Sequence, residues 1–353
     1  TAGTLTINGG LIDKKNDGIK GKVIDCKGMC LAPGIVDIGV KVCEPGEKHK
    51  ESFRSASSAA AAGGVTSLVT RPDTKPSIDN PELLEFFKNR GKEASNVRIF
   101  PTASLTKRNN GKKMTEIGFL HDGGAVAFTD GFNSIPNTKI FHQILKYASD
   151  FNTLIIGHPQ DYFLTKNTSA TNGVFASIKG LSSSPDFAEK IGIERDTALI
   201  SNLNIRYHAD QVTTKIGLDV LRDIKATNNR ITAGTSVHHL LFNELDIGNY
   251  RTFFKLKPPL RSNADREALT EAIREGLIDN ICSMHTPQDE ESKRLPFEEA
   301  APGAVGLETI LPASLSLYHN KILSLNQLFR LLAFNPANII KKSLGCLDEG
   351  QPA

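Results

Sequence analysis

Short apolar runs recur along the chain, separated by intervals wide enough to hold a helix. Ile35-Val-Asp-Ile-Gly-Val40 and Val65-Thr-Ser-Leu-Val-Thr70 are compact and rich in β-branched residues, the pattern of strands buried in a parallel sheet. The rhythm repeats at Val97–Phe100, Ala125–Phe128, Thr153–Ile156, Asn204–Tyr207, Ile231–Ala233 and Asn280–Cys282. Helix-compatible stretches lie between them, including the Ala- and Ser-rich Ser52–Ala62, which ends at Gly63-Gly64, and Asn80–Asn89. Alternation of this kind predicts an α/β protein with a parallel (β/α)8 barrel.

The chain before Pro33 has a different texture. Thr4–Ile7 alternates, Asn8-Gly9-Gly10 turns, and Leu11-Ile12 resumes. A polar stretch from Lys14 to Lys22 follows, and Val23–Gly28 reads as another short strand and turn. The segment from Gly157 to Asp196, with its serine run Ser182–Ser184, reads as a loop beside a helical excursion. These shifts divide the chain into 1–33, a barrel over 34–340, and a short return over 341–353.

Length and composition fit this picture. A chain of 353 residues suits a (β/α)8 barrel with a small appendage, and 23% charged residues is ordinary for a globular protein. A net charge of +3 with scattered basic residues argues against a nucleic-acid partner. Five cysteines, widely spaced apart from Cys26 and Cys30, argue against a disulfide framework and for a reducing cytoplasm. No apolar run reaches the ~18 residues of a membrane span, and the N-terminus lacks the layout of a signal peptide.

Several motifs then fall in one order. Pro33-Gly-Ile-Val-Asp-Ile-Gly-Val-Lys-Val-Cys-Glu-Pro-Gly46 resembles the dihydroorotase opening P-G-(F/I)-(I/V)-D-x-H-x-H-x-R-(E/D)-P-G. Gly63-Gly-Val-Thr66, Arg71-Pro-Asp-Thr-Lys-Pro76 and Ala127-Phe-Thr-Asp-Gly131 are similar to that family's GG-x-T, M-P-N-T-x-P and F-(S/T)-D-x-G blocks. His238-His-Leu-Leu241, Lys255–Ser262, Gly303–Thr309 and Asn335-Pro-Ala337 continue the match. The collinear set covers residues 30–340 and implies the amidohydrolase barrel with a small β-sandwich built from both chain ends. Relatives carry further sandwich strands after the segment that ends this chain, so an incomplete sandwich is expected.

The resemblance also says what the family's chemistry needs. Closing or opening a dihydropyrimidine ring takes a polarised carbonyl and an activated water, which the family supplies with one or two divalent metals, usually zinc. The two ligand histidines of H-x-H correspond to Gly39 and Lys41 here, and a lysine ammonium repels a cation. The bridging carboxylate is kept as Asp130 and one ligand histidine as His158. The next ligand histidine has become Gln211, with His208 matching a non-ligand position, and the acid/base aspartate of D-H-A-P-H has become Met284. Among substrate-holding positions, the arginine has become Cys43, the asparagine of M-P-N-T has become Asp73, and a later asparagine has become Lys257.

These changes lead to a chain with no zinc and no catalytic residues. Lys41 is expected to occupy the metal space and pair with Asp130, with Lys257 as a second candidate for that job. His158 reads more readily as a rim histidine, and Cys43 as an inert small apolar residue. A rearranged site using His208, Asp210 and His285 is the sharper alternative. His238 and His239, read as neighbours on a strand, face opposite ways and do not chelate one ion. Among relatives, an inactive dihydroorotase-like chain assembles with aspartate carbamoyltransferase, so the resemblance implies a structural, oligomeric partner of that enzyme in pyrimidine synthesis. The alternatives are an active amidohydrolase with an altered site, and a small-molecule binding module that uses the emptied barrel mouth.

Overall fold

The computed structural model describes residues 4–13 and 21–353. The stretch from Lys14 to Lys20 therefore lies outside the described residues.

The expected strands form two parallel sheets. In one, β3 (Ile35–Val40), β4 (Val65–Thr70) and β5 (Arg98–Pro101) pair in sequence order; before them β1 (Thr6–Asn8) and β2 (Leu11–Asp13) make an antiparallel hairpin. In the other, β6 (Leu154–Gly157) pairs with β9 (Arg206–Ala209), then β10 (Ile231–Ser236) and β11 (Asn280–Cys282). Two-residue strands β7 (Ala170–Thr171) and β8 (Ser183–Ser184) pair with each other inside the excursion after β6.

Phe128 joins the two sheets, bridging Ala103 on one side and Ile155 on the other. Ala125–Phe128 reads in the sequence as a strand, but among the described residues it contributes these two bridges and a few backbone bonds instead of a ladder. At the other seam the Lys41 amide donates to the His285 carbonyl (2.9 Å), and Asp37 accepts from the Ser283 amide (2.9 Å) and hydroxyl. Eight strand positions thus close a (β/α)8 barrel. Val36, Ile38, Val69, Ala127, Leu154 and Ile156 come from opposite sides of the ring and fill its interior. Ile339 and Ile340 close the lower end of that cluster.

Helices cover the outside because each presents one apolar stripe to the sheet. Their starts are encoded locally. Ser52 and Ser55 form a reciprocal cap on Phe53–Ala62, and Asn80 caps Pro81–Ala94 with proline in the first turn. Near the N-terminal hairpin, the Ile12 amide donates to the Gln351 carbonyl (2.8 Å), so the last residues return to the first strands. Two expectations fail locally. Val23–Gly28 is not a strand, since Val23 and Ile24 are exposed and have no ladder partner among the described residues. His238 and His239 sit on a short helix, Val237–Leu241, capped by Ser236, instead of on a strand.

Candidate functional site

The C-terminal ends of the barrel strands converge at one mouth, where Gly39, Lys41, Asp73, Gln211, Lys257 and Met284 gather, whereas His208 sits lower in the barrel with its Nδ1 2.9 Å from the Thr232 hydroxyl. β3 reaches it through a bulge. Its register with β4 shifts between Ile38 and Val40, and Gly39 lies at φ +93°, a conformation that side chains with a Cβ rarely adopt. A Cβ at Gly39 would stand 2.9 Å from the Met284 sulfur. Glycine at 39 and methionine at 284 therefore fit each other: the thioether occupies space that a larger residue at 39 would need. Met284 and Gln211 both hold positive φ, 46° and 59°, so strand ends on two further sides of the mouth also leave regular geometry.

The charges arrange themselves differently from the expectation. Lys41 Nζ lies 3.1 Å from Asp73, not beside Asp130. Asp73 also receives both arms of Arg71, through Nε at 3.0 Å and Nη2 at 2.7 Å. The guanidinium stacks 3.8 Å above the Phe132 ring and sends Nη1 to the Thr286 hydroxyl (3.3 Å). Despite its burial, Asp73 is held well below the usual carboxylate range, chiefly by the Arg71 charge and then by Lys41. Asp130 instead accepts from the Thr106 amide (3.0 Å) and hydroxyl (2.5 Å). Burial raises the Asp130 carboxyl to about 6, against the pull of those bonds. Asp73 is thus shared by Lys41 and Arg71, while Asp130 is held by Thr106.

This cluster makes a graded prediction. Arg71→Met should destabilise the protein by about 2–3 kcal/mol, because it removes a bidentate charged pair and leaves Asp73 with one partner. Lys41→Met should cost no more than about 1 kcal/mol, because Arg71 still satisfies the carboxylate. Chemical denaturation of both variants checks the order, and equal losses would contradict it.

The histidines and the cysteine of the site are buried. His158 is pushed well below its ordinary range by burial and then by Lys257 and Arg71. Burial likewise lowers His208 to about 3 and His239 to about 3. Ser236 and the Pro258 and Pro259 carbonyls occupy the two ring nitrogens of His239, so it is structural. His285 accepts from the Gly306 amide at Nδ1, which leaves Nε2–H to donate to Glu51 (3.0 Å). Cys43 is buried and its thiol is pushed up to about 11, in keeping with an inert role.

Asp210 stands apart. It is buried beside Gly39, with no hydrogen-bond partner for Oδ1 among the described residues, and burial raises its carboxyl to about 7. The folded protein holds this proton from the ordinary carboxylate range up to about 7, so its stability declines as pH rises through that window. Asp210→Asn removes the buried charge and should raise the melting temperature more at pH 8 than at pH 5. A gain independent of pH would contradict the assignment.

The space left at the mouth is small. A cavity of ≈ 10 Å³ lies among Phe132, Gln211, Ser236, Lys257, Met284 and Thr286. That is room for about one water, whereas ligand pockets run to roughly 300–1,000 Å³. The donor set does not suit the divalent metal that the family resemblance implies. Gly39 has no donor, Lys41 is a cation, Met284 offers only a thioether, and Asp130 is turned to Thr106. Among the described residues, no three His, Cys, Asp or Glu side chains come together in a metal-binding arrangement.

Comparison with known proteins identifies the lineage. The family model described as dihydro-orotase-like matches residues 28–216. A dihydroorotase of Ehrlichia canis is 38% identical over 342 residues, covering 96% of this chain and 76% of that protein. The chain belongs to the dihydroorotase family.

A dihydroorotase-like protein of Pseudomonas aeruginosa is 34% identical over 332 residues, covering 94% of this chain and 78% of that one. The fold extends further than the sequence likeness. L-hydantoinase from Arthrobacter aurescens superposes with a TM-score of 0.87 at 23% identity, covering 99% of this chain and 81% of that one. Against this dihydroorotase background, the residues missed by sequence reasoning are Arg71, Phe132, Thr106 and Glu189. Arg71 and Asp73 carry the one available signal: opposite charges two positions apart, where the family motif M-P-N-T has none.

Proposed function

We propose that this dihydroorotase-family chain is a non-catalytic member that serves as a structural partner of aspartate carbamoyltransferase in pyrimidine biosynthesis. The observation that carries the non-catalytic part is the filled mouth. Met284 packs over Gly39; Lys41, Asp73 and Arg71 form one ion cluster, and the cavity lined by Met284, Gln211 and Lys257 measures ≈ 10 Å³. A dihydropyrimidine ring needs far more room, and an activated water needs a base or a metal. The partner is inferred from the family resemblance described above and from a barrel kept intact without its chemistry.

One observation favours the catalytic alternative, an amidohydrolase with an altered site. His158 Nδ1, Asp210 Oδ1 and Gln211 Nε2 are buried at the mouth with no hydrogen-bond partner among the described residues. Buried polar atoms without partners are costly and often mark a ligand or a water. Turnover assays distinguish the two readings and are taken up in the Discussion.

The partner is tested by co-expressing this chain with aspartate carbamoyltransferase and weighing the product by light scattering. A joint assembly, with transferase activity that depends on it, is the expected result. Separate elution, with the transferase fully active alone, would overturn the proposal.

A further inference from the structure

A larger cavity lies at the opposite end of the barrel. It measures ≈ 450 Å³ and opens where β6, β9 and β10 begin, with Leu154, Arg206 and Thr232 in its wall. Three cations line it: Arg206, Arg230 and Lys341. Its one acid, Asp279, is already held by Lys225 (2.7 Å) and by the Ala233 amide (2.6 Å). Among the described residues, none of the three cations lies within ion-pair distance of a carboxylate.

The cations lie close together. Arg206 is half-buried, and its Nη1 donates to the Ile339 carbonyl (2.9 Å), which fixes the guanidinium. Its Nε is buried with no hydrogen-bond partner among the described residues. The Lys341 ammonium is lowered first by the charge of Arg206, then by burial and by Arg230. Lys341 also holds φ +52°, an uncommon conformation for a residue with a side chain, at the end of helix Asn335–Ile339. Like charges gathered without a counter-charge cost free energy, and an anion placed among them removes that cost. Five asparagines also face the cavity and offer amide donors and acceptors.

We propose that this basal cavity is a binding site for a small phosphorylated ligand, with Arg206, Arg230 and Lys341 holding the phosphate groups. A phosphate chain carries several charges to match three cations, and its oxygens suit the arginine fork. The volume lies within the range of small-molecule sites and would hold a nucleotide-sized ligand beside the asparagines. The site is remote from the mouth and does not depend on whether the mouth is active.

Isothermal titration calorimetry on the purified chain tests this, with ATP and inorganic pyrophosphate as phosphorylated probes and citrate as a carboxylate of comparable charge. Both phosphorylated probes are expected to bind, at least about tenfold tighter than citrate, and to weaken as salt is added. Arg230→Ala combined with Lys341→Ala changes two exposed side chains, so the fold should survive. This variant should weaken pyrophosphate binding by at least about tenfold, whereas Lys41→Met at the mouth should leave it unchanged. Absence of binding by either phosphorylated probe, citrate binding equally well, or unchanged affinity in the folded double variant would overturn the proposal.

Discussion

Replacing Glu189 with alanine is expected to lower stability by about 3–5 kcal/mol, the cost of stranding a buried charge. Glu189 is fully buried on helix Phe187–Ile200 and ties three parts of the barrel together. Its carboxylate accepts from the Thr213 and Thr214 amides (both 2.8 Å), from both threonine hydroxyls, and from the Gln160 side chain (2.9 Å). Arg261, also buried, places Nη2 at 3.6 Å from the same group. Alanine leaves the arginine without its ion-pair partner and two amides without acceptors. Glu189→Gln keeps an acceptor but loses the charge, so it should fall between alanine and the native protein. Urea denaturation gives the order, and an alanine variant within about 1 kcal/mol of native would show that water replaces the carboxylate.

The second large effect is on turnover. The purified protein is expected not to interconvert carbamoyl-aspartate and dihydroorotate at any measurable rate. Enzymes accelerate their reactions by at least about 10⁶-fold, and the family resemblance implies that the positions for the polarising cation and for proton transfer are the ones changed here. Single reversions should not restore it. Met284→Asp supplies a carboxylate but no metal ligands around it. Gly39→His meets the Met284 sulfur and the φ of +93°. Turnover above a metal-free control, abolished by Asp130→Ala, would favour the altered active site instead.

Much of the barrel was legible because its strands are short, apolar and separated by helix-length intervals. The bulge at Gly39 was not, since a strict two-residue period carries no sign of an inserted residue. The motif positions Gly39, Lys41, Asp130, His158, Gln211 and Met284 could be placed at the mouth by resemblance, but their pairing could not. Lys41 was expected on Asp130 because the metal's absence was read as leaving that carboxylate alone. The Thr106 loop satisfies it, and the charge introduced at Asp73 takes the lysine. Glu189 stayed hidden because its partners at Thr213, Thr214 and Arg261 are remote in sequence, and a glutamate on a helix reads as a solvated face. His238 and His239 were misplaced on a strand because Ser236, which caps their helix, also ends the apolar run of β10.

The central claim is that the barrel mouth is filled and has lost its metal site. Dialysing the purified protein against zinc, removing the excess, and counting zinc per chain by elemental analysis tests it most directly. The account predicts well under one zinc per chain, unchanged in His158→Ala. One or more tightly held zinc ions per chain, lost in His158→Ala or Asp130→Ala, would contradict it.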